Sequence, residues 1–241
     1  MEIGEEWIFS KIYSDHVWGT GSLERPKSGQ GSLPYVAKPY VDFIERIINR
    51  YAIGSVLDVG HGDWKMWQDY KFENTNYLGI DVAESISESN MVEFGNERRR
   101  FIQVAPSDPL PEADLLLCKE VLQHLSNIDI DNLLSQISKF KYIIVCNDVN
   151  IKRSLFEKIW FICQPRKRVY NLVNLKSPFY RVTTPRNNSD ISTGEYRGLD
   201  LESSNFMYRF RNFECVDRFD YKFPHENHIK ARVLFFKNLK I

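Results

Sequence analysis

The chain has 241 residues, long enough to bury a sizeable core, and its 43% hydrophobic content alongside 27% charged residues excludes disorder throughout. Its 32 Lys and Arg balance 32 Asp and Glu, so bulk charge disfavours nucleic-acid or membrane-surface binding and leaves only a local basic run at Arg98 to Arg100. No apolar run approaches the roughly 20 residues that span a bilayer. The acidic start MEIGEEWIF lacks the pattern of a secretory leader, and Cys118, Cys146, Cys163 and Cys215 show no paired spacing. A soluble cytoplasmic protein with reduced, packed thiols is expected.

In chain order, residues 1–35 read as an N-terminal arm or lid, because GTGSLERPKSGQGSLPY (19–35) is rich in Gly, Pro and Ser. From Val36 to Tyr51 the apolar positions Val36, Tyr40, Ile44, Ile47, Ile48 and Tyr51 fall at three- and four-residue steps and predict a helix. The period then changes. SVLDV (55–59), NYLGID (76–81), ADLLLC (113–118) and YIIVCND (142–148) are short apolar runs of the kind that form strands of a covered parallel sheet, and FIQV opens a further strand before the third of them. Between the last two runs Leu133, Leu134, Ile137 and Phe140 repeat helically, with Asn127 or Asp129 as cap. This alternation predicts a doubly wound α/β sheet. After an insertion of about 150–202, whose part 164–200 is loop-like, SNFMYRFRNF reads as a helix and FECVDRFDYKF and ARVLFFKN as an antiparallel pair.

Within VLDVGHGDW the first strand runs into two glycines, Gly60 and Gly62, at the place where an open α/β sheet binds ligands. Glycine there lets backbone approach a ligand that any Cβ would block. Asp81 ends the second strand, where a carboxylate accepts both hydroxyls of a ribose. A dinucleotide site wants G-x-G-x-x-G, but Lys65 stands at its third glycine, and no G-x-x-x-x-G-K-(S/T) phosphate loop is present. The motif is D-x-G-x-G, Asp58 to Gly62. An acid inside the turn repels a pyrophosphate and suits a cationic ligand with an amino group and a sulfonium.

VLDVGHGDW, YLGIDV and ADLLLCKEVLQHLSN together resemble the successive motifs of the class I S-adenosylmethionine-dependent methyltransferases, and the closing strand pair resembles that family's seventh strand beside its sixth. The resemblance covers residues 36–148 well and 203–238 in outline. It implies a seven-stranded mixed sheet over 36–241 and S-adenosyl-L-methionine as cofactor. By it Asp58, Gly60 and Gly62 line the methionine end, Asp81 binds the ribose, Val82 flanks the adenine, and Lys119 after the fourth strand joins the cofactor set. Two departures stand out: Trp64 replaces the family's third glycine, and only Ser107 or Asp108 follows the third strand where an acid meets the adenine amine.

Methyl transfer is a displacement at carbon that needs alignment and, for a hydroxyl acceptor, a base. Glu120 and His124 after the fourth strand and Asp148 after the fifth are the catalytic candidates, with His124 titrating nearest to working pH and its alternative being a capping or packing role. CKEV in place of (D/N)-P-P-(Y/F) disfavours amine methylation of bases, and His225 and His228 lack the carboxylates magnesium prefers, so no metal is assigned.

WGTGSLERPKSGQGS and NNSDISTGEYRGLDL resemble elements of a bacterial glycan- and small-molecule-tailoring subgroup, which implies a role in polysaccharide biosynthesis and places Ser28, Tyr196 and Arg197 at the acceptor. Arg166, Lys167, Arg168, Arg181, Arg186 and Arg197 give the insertion a basic bias suited to a phosphate or carboxylate. The expected partner is a small-molecule or glycan-precursor acceptor (a sugar, nucleotide-sugar or phosphorylated metabolite), with a homodimer left open. The alternatives are an NAD(P)-dependent oxidoreductase, an RNA methyltransferase and a non-catalytic cofactor-binding module.

Overall fold

The computed structural model describes residues 5–22, 24–70, 72–151, 187–224 and 226–241. Strands β1 (Ser55–Val59), β2 (Asn76–Asp81), β3 (Arg99–Gln103), β4 (Leu115–Lys119) and β5 (Tyr142–Asn150) are parallel, while β6 (Phe213–Phe223) and β7 (Glu226–Asn238) run antiparallel. The order is β3-β2-β1-β4-β5-β7-β6, a seven-stranded mixed sheet in which β7 lies between β5 and β6. Strand order reverses between β1 and β4, so the carboxyl ends of β1, β2, β4 and β5 frame one crevice.

Strand parity sorts the core into two layers. Val56, Leu115, Leu117, Ile144, Val233 and Phe235 point toward helix α2 (Pro34–Tyr51) and its buried Tyr40, Phe43, Ile44 and Ile47. Their neighbours Leu57, Val59, Leu116, Cys118, Ile143 and Leu234 point the other way, onto Phe9 and Ile12 of α1 (Glu5–Ser14) and onto Ile130 and Leu134 of α4 (Asn127–Leu134). Both faces are covered, which is why these strands read as continuous apolar runs. The sequence reading placed residues 1–35 in an arm and did not anticipate α1, a helix whose Phe9 and Ile12 are core residues. No helix among the described residues is long and apolar enough to cross a membrane.

Three local expectations are corrected. The cap of α4 is Ser126, not Asn127 or Asp129: its hydroxyl accepts from the Asp129 amide at 3.2 Å, and the helix stops at Leu134. The segment SNFMYRFRNF forms a 3-10 helix over Asn205–Phe210. Cys118 and Cys146 are buried, but Cys215 is exposed on edge strand β6. Cys163 and the arginines from 166 to 186 lie outside the described residues, as does His225.

Between β1 and β2 the described residues form only a three-residue 3-10 turn, Lys65–Trp67, where a doubly wound fold usually inserts an α-helix. Aromatic packing replaces it. Trp64 sits 4.9 Å from Phe94 and 5.6 Å from Phe101, Trp67 4.9 Å from Phe72, and Phe72 4.7 Å from Tyr77. The Arg99 guanidinium lies 4.3 Å over the Trp64 ring, so the basic run at 98–100 is partly spent on packing. Trp64 adopts φ 59°, the left-handed conformation that glycine takes without cost.

These two effects oppose each other. Trp64→Gly relieves about 1 kcal/mol of backbone strain but removes a buried indole worth about 3 to 5 kcal/mol. A net loss of about 2 kcal/mol or more is expected in urea unfolding; an unchanged midpoint would show that the aromatic layer does not hold this turn.

Candidate functional site

Parallel pairing of Val59 with Ile80 brings the glycine turn against the end of β2. Gly60 and His61 donate backbone N–H groups to the Ile80 carbonyl at 2.8 and 3.4 Å. Gly62 donates to Asp81 Oδ2 at 3.3 Å, and Ala83 donates to Oδ1 at 3.0 Å. Asp81 is therefore buried and oriented under the turn. Gly60 and Gly62 have φ of 70° and 57°, and their missing side chains are needed: a Cβ at Gly60 would lie 2.4 Å from Val121, and one at Gly62 would lie 2.2 Å from Ser28 Oγ.

The N-terminal segment thus reaches into the turn. Ser28 Oγ accepts from the Asp63 amide at 2.6 Å while the Ser28 amide donates to Asp63 Oδ2 at 3.4 Å. Tyr13 hydrogen-bonds Ser28 from α1, and burial together with the Asp81 and Asp63 charges holds its phenol well above the ordinary value.

Asp58 takes another place. It shares the face of Val56, and its carboxylate accepts from the Tyr77 hydroxyl at 2.6 Å and the Trp67 indole at 3.3 Å inside the aromatic layer. Burial pushes its pKa up to about 6 in spite of those two donors.

At the end of β4, Lys119 pairs with the Glu120 carboxylate and donates to the Gly31 carbonyl at 3.1 Å. Burial alone would depress Lys119; the Glu120 charge and hydrogen bond, with the Cys146 and Asp148 charges, together outweigh it and hold the ammonium above its ordinary value. Gly31 is pressed onto Glu120, with a Cβ there reaching 2.1 Å from the carboxylate. Two buried atoms at this edge, the Tyr40 hydroxyl and Asn147 Oδ1, have no hydrogen-bond partner among the described residues.

His124 follows in the 3-10 turn Leu122–His124. Its Nδ1 lies 3.0 Å from the Glu195 carbonyl, which can only accept, so Nδ1 carries the proton and Nε2 keeps a lone pair. The ring is flanked by Trp18 at 5.0 Å and Tyr196 at 5.6 Å. Desolvation pushes its pKa down to about 4, with Arg197 adding to the effect and Glu120 opposing it. Asp148 Oδ2 accepts from Gln123 at 3.1 Å and from the Tyr196 hydroxyl at 3.0 Å, while the Asp148 amide donates to Gln123 Oε1 at 2.7 Å.

Arg197 is fully buried and donates to the carbonyls of Ser189 and Leu122 at 2.9 and 3.5 Å, which ties the loop to the 3-10 turn that carries His124. Val82 is half-buried and accepts from Gln103 Nε2 at 3.2 Å; Ser107 is exposed, and Asp108 accepts from the Ala105 amide within its own turn.

The structure brings Gly60, Gly62, Asp81 and Ser28 to one end of the crevice and Lys119, Glu120, His124, Asp148 and Tyr196 to the other. Asp58 and Arg197 are held in hydrogen-bond sets of their own, and Ser107 is exposed. Sequence reasoning missed Tyr13, Trp18 and Asp63. Only three-dimensional contact between α1 and the strand ends reveals the first two, whereas Asp63 was readable as a second acid of the turn.

No protein-family model and no curated protein matches this sequence. Solved structures do match. The chain is similar to the (4+2)-cyclase SpnF at 14% identity and TM-score 0.60, covering 98% of this chain and 97% of that one. It is similar to a Leishmania major SAM-dependent methyltransferase at 11% identity and TM-score 0.58, covering 95% and 82%. It is also similar to magnesium protoporphyrin IX methyltransferase of Synechocystis with bound SAH at 12% identity and TM-score 0.57, covering 94% and 93%. These neighbours share the seven-stranded α/β fold. Because a cyclase stands among them, the fold alone does not name a reaction.

The raised Asp58 has a measurable sign. A buried acid whose folded pKa is about 6 against an ordinary 3.8 binds a proton more tightly when folded, so its contribution to stability falls as pH rises from about 4 to 6 and is level above. Asp58→Asn lacks this loss: relative to wild type it should gain up to about 3 kcal/mol between pH 4 and 7 in urea unfolding. A pH-independent difference would place the carboxylate in a solvated site.

Proposed function

We propose that this protein is an S-adenosylmethionine-dependent methyltransferase that methylates an oxygen of a small polar acceptor, a sugar, nucleotide-sugar or phosphorylated metabolite. The observation that carries the reading is the glycine turn closing directly on the buried Asp81 carboxylate with no α-helix N-terminus behind it. A pyrophosphate there would meet Asp81 and Asp63 without the helix-end amides that normally stabilise it. A ribose finds a fixed carboxylate, and a sulfonium finds negative potential. The antiparallel β7 beside β5 also counts against a dinucleotide oxidoreductase, whose six strands run 3-2-1-4-5-6 in parallel. Arg99, stacked on Trp64, weakens the case for RNA.

The residues present suit the cofactor. Asp81 would take the ribose hydroxyls, Gly60 and Gly62 let Val121 and Ser28 close on the turn beside it, Val82 and Ser107 flank the adenine side, and Lys119 with the Tyr40 hydroxyl and Asn147 Oδ1, unpartnered among the described residues, lies toward the methionine end. When bound, the cofactor supplies an electrophilic methyl group. The chain supplies everything else. His124 Nε2 takes the proton of the acceptor hydroxyl, a role its neutral state permits at every pH above about 4. Glu120, Asp148 and Tyr196 orient the acceptor, and Arg197 fixes the loop that carries Tyr196. Residues 1–35 act as a lid: Tyr13, Trp18 and Ser28 exclude water from the crevice. Of the segment from about 150 to 202, residues 152–186 lie outside the described residues, and the described part that carries Tyr196 and Arg197 borders the acceptor side of the domain 36–241.

Calorimetry tests the cofactor. S-adenosylhomocysteine should bind and NAD should not, with Asp81→Asn weakening binding roughly 10- to 100-fold through loss of charge-assisted hydrogen bonds; binding of NAD alone ends this reading. A mass-spectrometric search of cell extract for a compound gaining one methyl then supplies the acceptor. With it, His124→Gln should cost about 100-fold or more in rate. The wild-type kcat/KM should stay level from pH 8 to 5 before falling as pH nears about 4. A midpoint near the ordinary imidazole value of about 6.5 would remove His124 from the role.

A further inference from the structure

Among the described residues no α-helix anchors the glycine turn, yet Gly62 is held from both sides. Gly62 donates its N–H to Asp81, and its carbonyl accepts from Asn90 Nδ2 at 2.7 Å and lies 2.8 Å from His61 Nδ1, which itself lies 3.0 Å from Asn90 Nδ2. With its proton on Nδ1 the imidazole engages the second lone pair of that carbonyl. With the proton on Nδ1, His61 Nε2 accepts from the Ser87 hydroxyl at 3.2 Å. Ser87 and Asn90 stand three residues apart on α3 (Glu84–Phe94), which sets them on one face of the helix, and both are buried with His61. Apolar residues would fill this face at lower cost unless the polar groups were needed. Room for the imidazole comes from β2: a Cβ at Gly79 would lie 2.8 Å from the ring, and Phe101 packs edge-on at 5.1 Å.

We propose that His61 and Asn90 are positioning residues that fix the backbone of Gly62 from its carbonyl side, and through the Gly62 N–H the orientation of Asp81, in the conformation that receives the ligand. The inference rests on the S-adenosylmethionine reading above. It gives α3 a function in binding although none of its side chains needs to touch the cofactor.

The test compares Asn90→Leu, His61→Phe and His61→Gln, the last of which retains an N–H donor. Three readouts are taken well below the melting temperature: S-adenosylhomocysteine affinity, amide hydrogen exchange over residues 58–64 in the ligand-free protein, and thermal stability. Asn90→Leu and His61→Phe should each bind about tenfold more weakly and exchange faster at the turn with β4 and β5 unchanged, while His61→Gln stays within about threefold of wild type. Wild-type affinity in Asn90→Leu and His61→Phe overturns the proposal, and so does faster exchange across the whole sheet with affinity unchanged, the mark of a core contact only. Failure of the wild type to bind would sink the cofactor reading separately. Turn exchange in Asn90→Leu would then still decide whether the pair holds the turn, unaltered exchange refuting it.

Discussion

A single residue, Gly62, organises the crevice. Its amide reaches Asp81 on β2, its carbonyl reaches α3, and the space beside its α-carbon receives Ser28 from the N-terminal segment. Three parts of the chain distant in sequence meet there only because that residue carries no side chain. In the usual arrangement a helix following the first strand would satisfy the turn's amides and offer a positive dipole end to a ligand. Among the described residues no α-helix follows β1, and the Gly62 amide meets the Asp81 carboxylate instead.

The missing helix has a structural cost that the aromatic layer offsets. Trp64, Trp67, Phe72 and Tyr77 cover the sheet where the helix would have packed, and they enclose Asp58 through the Tyr77 and Trp67 donors. A carboxylate raised to about 6 is a poor ion, but at neutral pH most of it is charged, and Lys119 lies near enough to lower it. Lys119 in turn holds Glu120 and the Gly31 carbonyl. Removing one member of so buried a pair leaves the other uncompensated, at a cost of about 3 to 5 kcal/mol. The same interaction therefore stabilises the strand end and fastens the segment above it.

Much of this was legible in the sequence, and the limits are physical. β1 and β2 begin and end where the apolar runs do, because strands covered on both faces show no alternation to blur their ends. The glycine turn and Asp81 were legible since each needs a particular residue at a fixed distance from a strand. The side taken by Asp58 was also in principle readable: it is two residues from Val56 and must share its face. The motif resemblance implied instead that it lines the methionine end of the cofactor. Arg197 was less legible for a different reason. A cation in a polar loop reads as available, and only the carbonyls of Ser189, eight residues back, and Leu122, far off in sequence, show where its guanidinium donates. Helix α1 went unread because its apolar face is short, and its partners are strand ends that no local pattern announces.

The contacts between α1 and the strand ends also relate the two halves of the crevice. Tyr13 packs edge-on against Trp18 at 5.5 Å, Trp18 lies 5.0 Å from His124, and His124 lies 5.6 Å from Tyr196, whose hydroxyl holds Asp148. This row of rings begins over Asp81 and ends at the candidate base and its acidic neighbour. The dry surroundings that depress the His124 pKa are supplied in part by Trp18, which belongs to the segment that also seats Ser28 in the glycine turn. Any displacement of that segment by water would rehydrate the imidazole and raise its pKa at the same time as it uncovers Asp81. Covering Asp81 and desolvating the His124 imidazole are consequently one event in this fold, since both are made by the same stretch of chain.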